Sequence, residues 1–164
     1  MTITVVIFDW GDTLMRDLRG YSGPMYRWPE VHVIPGVAEA LEEISGQQFR
    51  CCVASNAGDS NADLLALALE RVNIKKHFEH IFTSTELGCA KPDPRFFLAI
   101  ANQLQVDATS CLAVGNDYEK DVVPAAKVGM KTVLLCEDNI PREAPMMDHG
   151  IRSMRDLPAC LPAR

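Results

Sequence analysis

Short apolar runs alternate along this chain with stretches in which apolar residues recur at helical spacing. The first run, residues 5–8, is continuous, which is typical of a strand covered on both faces of a parallel sheet. Comparable runs near residues 49–54, 81–84, 111–114 and 132–135 predict more strands of the same kind. The pattern therefore predicts a parallel sheet of about five strands.

The segments between these runs have the periodicity of helices. Val37, Leu41 and Ile44 repeat at helical spacing, and Asp93 begins another such segment as a cap followed by proline. A further short strand is expected near Ile151. Strands that alternate with helices in this way predict an α/β fold, a doubly wound three-layer sandwich with a Rossmann-like core.

Length favours one domain over residues 1–164 with no separate cap domain. Residues 15–34 are rich in glycine and proline but shorter than the roughly 50 residues that a domain needs. We expect this segment to be a flap.

Composition excludes several classes of function. With 16 Lys and Arg against 22 Asp and Glu, the net charge is −6, which disfavours nonspecific nucleic-acid binding and anionic membranes. No signal sequence or membrane span is evident, so we expect a cytoplasmic protein. The six cysteines form no CxxC pair, which predicts reduced thiols, and the pair His77 and His80 lacks partners for a zinc site.

Polar residues follow the predicted strands. Because parallel strands point their carboxyl ends to one edge, these side chains should converge there. They are Asp9, Ser55, Lys91, Asn116 and Asp117. A carboxylate nucleophile, a hydroxyl, an ammonium group and a second acidic cluster suit phosphoryl transfer assisted by Mg²⁺. Capping of a turn or helix start is the alternative interpretation of Asp9, Asp12 and Thr13.

The order of these motifs resembles the haloacid dehalogenase (HAD) superfamily, most of whose members are Mg²⁺-dependent phosphatases. Residues 9–13 resemble its first motif, Ser55 its second, Lys91 its third, and residues 114–117 with Asp121 its acidic fourth. The resemblance covers nearly the whole chain and implies phosphomonoester or acyl phosphate hydrolysis through an aspartyl-phosphate on Asp9.

Residue roles follow from that resemblance. Those expected in catalysis are Asp9, Asp12, Ser55 and Lys91. Those expected to bind phosphate are Thr13, Ser55, Asn56 and Lys91, with Asn56 acting through its backbone amide. Those expected to hold Mg²⁺ are Asp9, Gly11, Asn116, Asp117 and Asp121, with Gly11 acting through its carbonyl.

The chain departs from the family pattern after the nucleophile. The phosphatases usually carry a second aspartate two residues later, as general acid and base, and this chain has Gly11 there with Asp12 next to it. Either Asp12 takes the role, or the protein is a catalytically weak phosphate-binding or interaction module. Asn116 stands where the family often has aspartate, which leaves open whether Asn116 or Asp117 is the main metal ligand.

The expected partner is a phosphorylated small molecule or a phosphate at the end of a larger substrate, with a neighbouring subunit as a further cover for the open site. A receiver-type signalling domain fits less well, because its phosphate acceptor follows a middle strand. Dehalogenation also fits poorly, because that chemistry generally replaces the second aspartate by a bulky aromatic residue.

Overall fold

The computed structural model describes residues 2–164 and contains a six-stranded sheet in the order β3-β2-β1-β4-β5-β6. All neighbouring strands are parallel. The strands are β1 (Val5–Phe8), β2 (Arg50–Ser55), β3 (His80–Thr83), β4 (Cys111–Gly115), β5 (Lys131–Leu135) and β6 (His149–Ile151).

Helices connect the strands. They are α1 (Val37–Gly46), α2 (Ala62–Arg71), α3 (Ser84–Leu87), α4 (Pro94–Leu104) and α5 (Val123–Lys127). Short 3-10 segments are Met25–Arg27, Lys75–His77, Ala108–Ser110 and Met154–Cys160, and a π-helical turn spans Tyr118–Val122. No helix within residues 2–164 combines the length and apolar character that a membrane crossing needs.

The central strand β1 explains the continuous apolar run. Val6 and Phe8 pack in one core cluster, and Val5 and Ile7 pack in a second cluster. All four side chains are at most 1% exposed. Because side chains alternate between the faces of a strand, a sheet covered on both sides requires apolar residues at consecutive positions.

Register brings the carboxyl ends of three strands together. Phe8 is paired with Val53 of β2 and with Val114 of β4, and the Asp9 amide donates to the Val114 carbonyl at 2.9 Å. The residues that follow these positions therefore meet at one edge of the sheet, as predicted.

The α/β fold class predicted from the sequence is confirmed, with a few local differences. The sheet has six strands rather than about five, because the short strand near Ile151 joins its edge as β6. The helix α3 and the π-helical turn before α5 were not predicted. Asp93 caps α4 through the Arg95 amide, and the six cysteines carry free thiols, both as expected.

The segment 15–34 is a flap attached to the domain rather than a free loop. Met15 bridges Val33, and Trp28 is 8% exposed. The Arg71 guanidinium at the end of α2 donates hydrogen bonds to three carbonyls of this segment. These are the carbonyls of Tyr26, Trp28 and Pro29. The flap is thereby held beside the carboxyl edge of the sheet.

Candidate active site

The centre of the site is a buried ammonium group between two carboxylates. Lys91 Nζ lies 2.7 Å from Asp9 Oδ1 and 2.7 Å from Asp121 Oδ1, and it also donates to the Ala54 carbonyl at 3.1 Å. The Lys91 and Asp121 side chains are 3% and 4% exposed, whereas Asp9 is 15% exposed. Asp9 is therefore the carboxylate of this group that a substrate can reach.

Burial and the charges within this group shift the pKa values of Lys91 and Asp121. Burial lowers the pKa of Lys91, but the charges of Asp9 and Asp121 and their hydrogen bonds outweigh burial, so the pKa is raised. Burial, supported by the nearby charge of Asp9 and opposed by Lys91, raises the pKa of Asp121 to about 6. One ammonium group shared by two carboxylates thus remains charged.

The loop that carries Lys91 is fixed by Asn56. Its side-chain amide donates to the Lys91 carbonyl and accepts from the Lys91 amide, each at 2.8 Å. This two-bond contact joins the end of β2 to the loop between α3 and α4. It leaves the Asn56 backbone amide beside Ser55, whose side chain lines the same cavity. The structure thus brings the predicted residues of the second and third motifs together.

Thr13 is buried beside Asp9. It is among the predicted phosphate-binding residues, but it is 0% exposed, and its hydroxyl donates to Asp9 Oδ2 at 3.0 Å. The hydroxyl proton is thus directed at Asp9, and phosphate binding by Thr13 remains a prediction without support from this geometry. Thr13 therefore orients the Asp9 carboxylate.

Oxygen atoms that suit a magnesium ion meet at the same edge. One terminal atom of the Asn116 side-chain amide, either its oxygen or its nitrogen, lies 3.1 Å from Asp9 Oδ2 and 3.2 Å from the Gly11 carbonyl oxygen. With its nitrogen there, the amide donates to both oxygens; with its oxygen there, three oxygens face one another near the Thr13 hydroxyl, an arrangement that a bound cation would stabilise. Neighbouring ligands of an octahedral Mg²⁺ are roughly 3 Å apart, so this donor set fits the ion.

The site offers few carboxylates to a metal. Within residues 2–164, no group of three or more His, Cys, Asp or Glu side chains is arranged to hold a metal ion. Mg²⁺ commonly takes one or two carboxylates and completes its shell with waters and substrate phosphate. A carboxylate, a carbonyl and an amide are thus a suitable but weakly charged set.

Asp117 and Asp121 make protein contacts instead. Asp117 caps the π-helical turn through the Lys120 amide at 3.0 Å. Asp121 accepts from Lys91 with one oxygen and from the Asp117 amide at 3.1 Å with the other. Direct ligation by these two residues remains a prediction without support from this geometry. Gly115 makes the arrangement possible, because a Cβ there would overlap the Asp121 carboxyl group.

Asp12 adopts a turn conformation with φ of 56°, a left-handed geometry that aspartate tolerates. Its Oδ1 accepts from the Asp17 amide at 3.1 Å and lies 3.7 Å from Arg16. Its side chain is 40% exposed. The carboxylate thus stabilises the turn into the flap, and its predicted role as the acid stays a prediction.

A cavity of about 420 Å³ joins these parts. Its lining includes residues that sequence reasoning did not assign to the site, namely Asp17, Ala57, Gly58 and Lys120. A side pocket of about 170 Å³ adjoins it, with apolar walls formed by Trp10, Met25, Trp28 and Leu65. Nothing in the local sequence of Asp17 distinguishes it from a solvated acid. Asp17 is recognised as a residue of the site only because the flap lies beside the cavity.

A larger cavity of about 770 Å³ lies at the opposite, amino end of the strands. Its lining includes Thr109 before β4 and Lys131 at the start of β5. None of the predicted site residues lines it, so size alone does not locate the chemistry of this fold.

Comparison with known proteins identifies related sequences. Haloacid dehalogenase-like hydrolase domain-containing protein 3 of Bos taurus is 28% identical over 128 residues, which cover 71% of this chain and 49% of that protein. Ribulose-1,5-bisphosphate 5-phosphatase of Halopiger xanaduensis is 30% identical over 64% of this chain and 43% of its own length. The chain thus spans about half the length of the curated relatives that it matches.

A solved structure shares almost the whole fold. The crystal structure of an uncharacterized protein from Listeria monocytogenes serotype 4b has a TM-score of 0.82 and 28% identity, and the match covers 96% of both chains. The family model for haloacid dehalogenase-like hydrolases matches residues 21–129, about two thirds of the chain. The chain therefore belongs to the haloacid dehalogenase-like hydrolase family.

Proposed function

We propose that this protein is a Mg²⁺-dependent phosphomonoester or acyl phosphate hydrolase that acts through an aspartyl-phosphate on Asp9. The observation that carries the proposal is the partly exposed Asp9 carboxylate held 2.7 Å from a buried ammonium group at the edge of a cavity. Phosphatases among the relatives support the reaction class.

Asp9 has two differently placed oxygens. Oδ2 faces the Asn116 amide and accepts from Thr13, whereas Oδ1 lies against Lys91. In the proposed reaction, Oδ1 attacks phosphorus, and Oδ2 would be the oxygen available to hold Mg²⁺. Thr13 and Lys91 hold the carboxylate in this orientation, which reduces the entropy lost on reaching the reactive geometry.

The phosphoryl oxygens need donors in the same cavity. The Ser55 hydroxyl and the Asn56 backbone amide, both at the end of β2, would bind them, and Lys91 would neutralise charge as it spreads over them. The contact between Asn56 and the Lys91 backbone keeps these donors at a fixed separation.

Mg²⁺ would be held by Asp9 Oδ2, the Gly11 carbonyl and the Asn116 amide oxygen, with Asp117 and Asp121 close by. When bound, the ion would offset the repulsion between Asp9 and the dianionic phosphate and polarise a phosphoryl oxygen. The substrate proposed is a phosphorylated small molecule or an end-presented phosphate, because the cavity opens beside the flap.

The test is phosphate release from p-nitrophenyl phosphate, acetyl phosphate and simple alkyl phosphates, with Mg²⁺ and with EDTA. The wild type should release phosphate only with Mg²⁺, and Asp9→Asn should abolish release. Full activity of Asp9→Asn, or equal release in EDTA, would overturn the proposal.

The second candidate is a phosphate-binding or interaction module of the same fold, which Gly11 at the usual acid position favours. It predicts that Mg²⁺ with a phosphate mimic raises the thermal unfolding midpoint, while turnover by the wild type does not exceed that of Asp9→Asn. Together the two measurements separate binding from catalysis.

A further inference from the structure

We propose that Asp17, in the flap, supplies the general acid and base that the chain lacks at Gly11. This inference rests on the proposed function and names the residue that completes its site.

The first observation is the space beside Gly11. Gly11 does not adopt a positive φ, and a Cβ built on it would have one neighbour within 4 Å among the described residues, Asp17 Cβ at 3.9 Å. The Asp17 side chain therefore begins in van der Waals contact with the region that a side chain at position 11 would occupy. The start of the flap thus places an aspartate beside the position where the family pattern has one.

The second observation is where Asp17 lies relative to the two cavities. Residues shared by the main cavity and the side pocket are Gly11, Asp17, Ser55 and Ala57. With the phosphoryl group beside Asp9, the leaving group extends toward the apolar side pocket, and the scissile oxygen sits at the junction. Asp17 is the titratable residue that lines both cavities, which places it next to the oxygen that must take a proton.

The third observation is how Asp17 is held. Its backbone amide donates to Asp12 Oδ1 at 3.1 Å, and the neighbouring Arg16 makes a two-bond contact with Glu137 at 2.7 and 3.0 Å. The backbone at Asp17 and the side chain just before it are thus both held in place. Asp12, displaced by one position from the family pattern, serves as the anchor of the acid.

The reaction balances with Asp17 in this role. Asp9 Oδ1 forms a bond to phosphorus while the bond from phosphorus to the leaving oxygen breaks, and the protonated Asp17 gives its proton to that oxygen, which departs as the alcohol. The Asp17 carboxylate then takes a proton from water as the water oxygen attacks phosphorus. Inorganic phosphate leaves, Asp9 regains its carboxylate and Asp17 is protonated again.

The experiment compares Asp17→Asn with Asp156→Asn, which removes the same charge from an exposed position in the C-terminal 3-10 helix. Loss of general acid and base help typically costs 10²- to 10⁴-fold, so turnover of an alkyl phosphate by Asp17→Asn should fall about 100-fold or more. With p-nitrophenyl phosphate, whose leaving group needs no proton, the variant should release one equivalent of nitrophenol rapidly and then turn over slowly. That burst reports an accumulated phosphoenzyme, which a merely structural defect would not produce.

A rescue variant adds a second readout. Gly11→Asp in the Asp17→Asn background places a carboxylate in the same region, and it should restore at least tenfold of the lost alkyl phosphate turnover. If Asp17→Asn behaves like Asp156→Asn in rate and burst while Asp9→Asn is inactive, the inference is wrong and the proposed function stands. If the wild type releases no phosphate from any substrate, both are wrong.

Discussion

The carboxyl group of Asp121 occupies the space that a side chain at Gly115 would need. This close approach lets Asp121, at the end of the π-helical turn, reach back over the last residue of β4 to pair with Lys91 at 2.7 Å. The small residue at the strand end is therefore part of the ion pair's geometry.

Gly115→Ala should displace Asp121 and weaken its contact with Lys91. Overpacking of a buried site typically costs about 1–3 kcal/mol, so the free energy of unfolding should fall by that order and phosphate release should drop with it. Denaturant unfolding and a phosphate-release assay would measure the two effects. Gly46→Ala is the control, because a Cβ there would meet no atom within 4 Å. Equal stability of both variants would contradict the expectation.

Asn116→Asp should strengthen binding of Mg²⁺. The substitution adds a negative charge where the amide lies 3.1 Å from Asp9 Oδ2, so repulsion should lower the thermal unfolding midpoint without metal and binding should raise it with metal. We expect the half-saturating Mg²⁺ concentration, measured from the unfolding midpoint, to fall roughly tenfold. Asn139→Asp, in the exposed loop after β5, controls for added charge. An unchanged response to Mg²⁺ would exclude Asn116 from the metal site.

Two substitutions at Asp12 distinguish a structural role, as the hydrogen-bond acceptor of the Asp17 amide, from a role as the general acid. Asp12→Asn keeps an oxygen that accepts from the Asp17 amide and tolerates φ of 56°, so activity should stay within about threefold of wild type. Asp12→Ala removes the anchor and strains the left-handed backbone, so activity should fall. Steady-state phosphate release measures both. If Asp12 were the general acid, Asn and Ala would each lose about 10²- to 10⁴-fold.

Acid should destabilise the fold through His77. Burial lowers the pKa of His77 and outweighs the opposite effect of the Glu42 carboxylate, which lies 3.3 Å from the imidazole. The His77 Nδ1 atom forms a hydrogen bond with the Ser45 hydroxyl at 3.1 Å. Because the folded pKa lies below the unfolded value of 6.5, this contribution to stability is complete above about pH 6.5 and declines as the pH falls from there toward the folded pKa.

Denaturant midpoints at pH 7.5 and pH 5.5 provide the measurement. The denaturant midpoint should fall less between pH 7.5 and pH 5.5 in His77→Gln than in wild type, since glutamine does not titrate. His80→Gln, at a half-exposed histidine of β3, should keep the wild-type loss. The same pH dependence in all three proteins would refute the assignment to His77.

The sequence by itself determined the fold class and the edge of the sheet at which the candidate site lies. Continuous apolar runs such as residues 5–8 mark strands buried on both faces, and caps such as Asp93 mark helix starts, because the spacing of apolar residues and the capping of a helix are both written in residues close in the chain. A polar residue directly after such a run must lie at the carboxyl edge of a parallel sheet. Asp9 and Ser55 were located by this rule.

The tertiary structure decided which of these groups touch. Thr13 is buried against Asp9, and Asp121 is committed to Lys91, 30 residues away in sequence. Asp17 lies beside Gly11 because the turn through Asp12 brings the start of the flap back to the sheet edge. The contact of Asp121 with Lys91 depends on the distance between two segments that are far apart in the chain, and the contacts of Thr13 and Asp17 depend on how the turn after β1 folds. Local sequence preferences fix each element but not its separation from the others, so these roles required the fold.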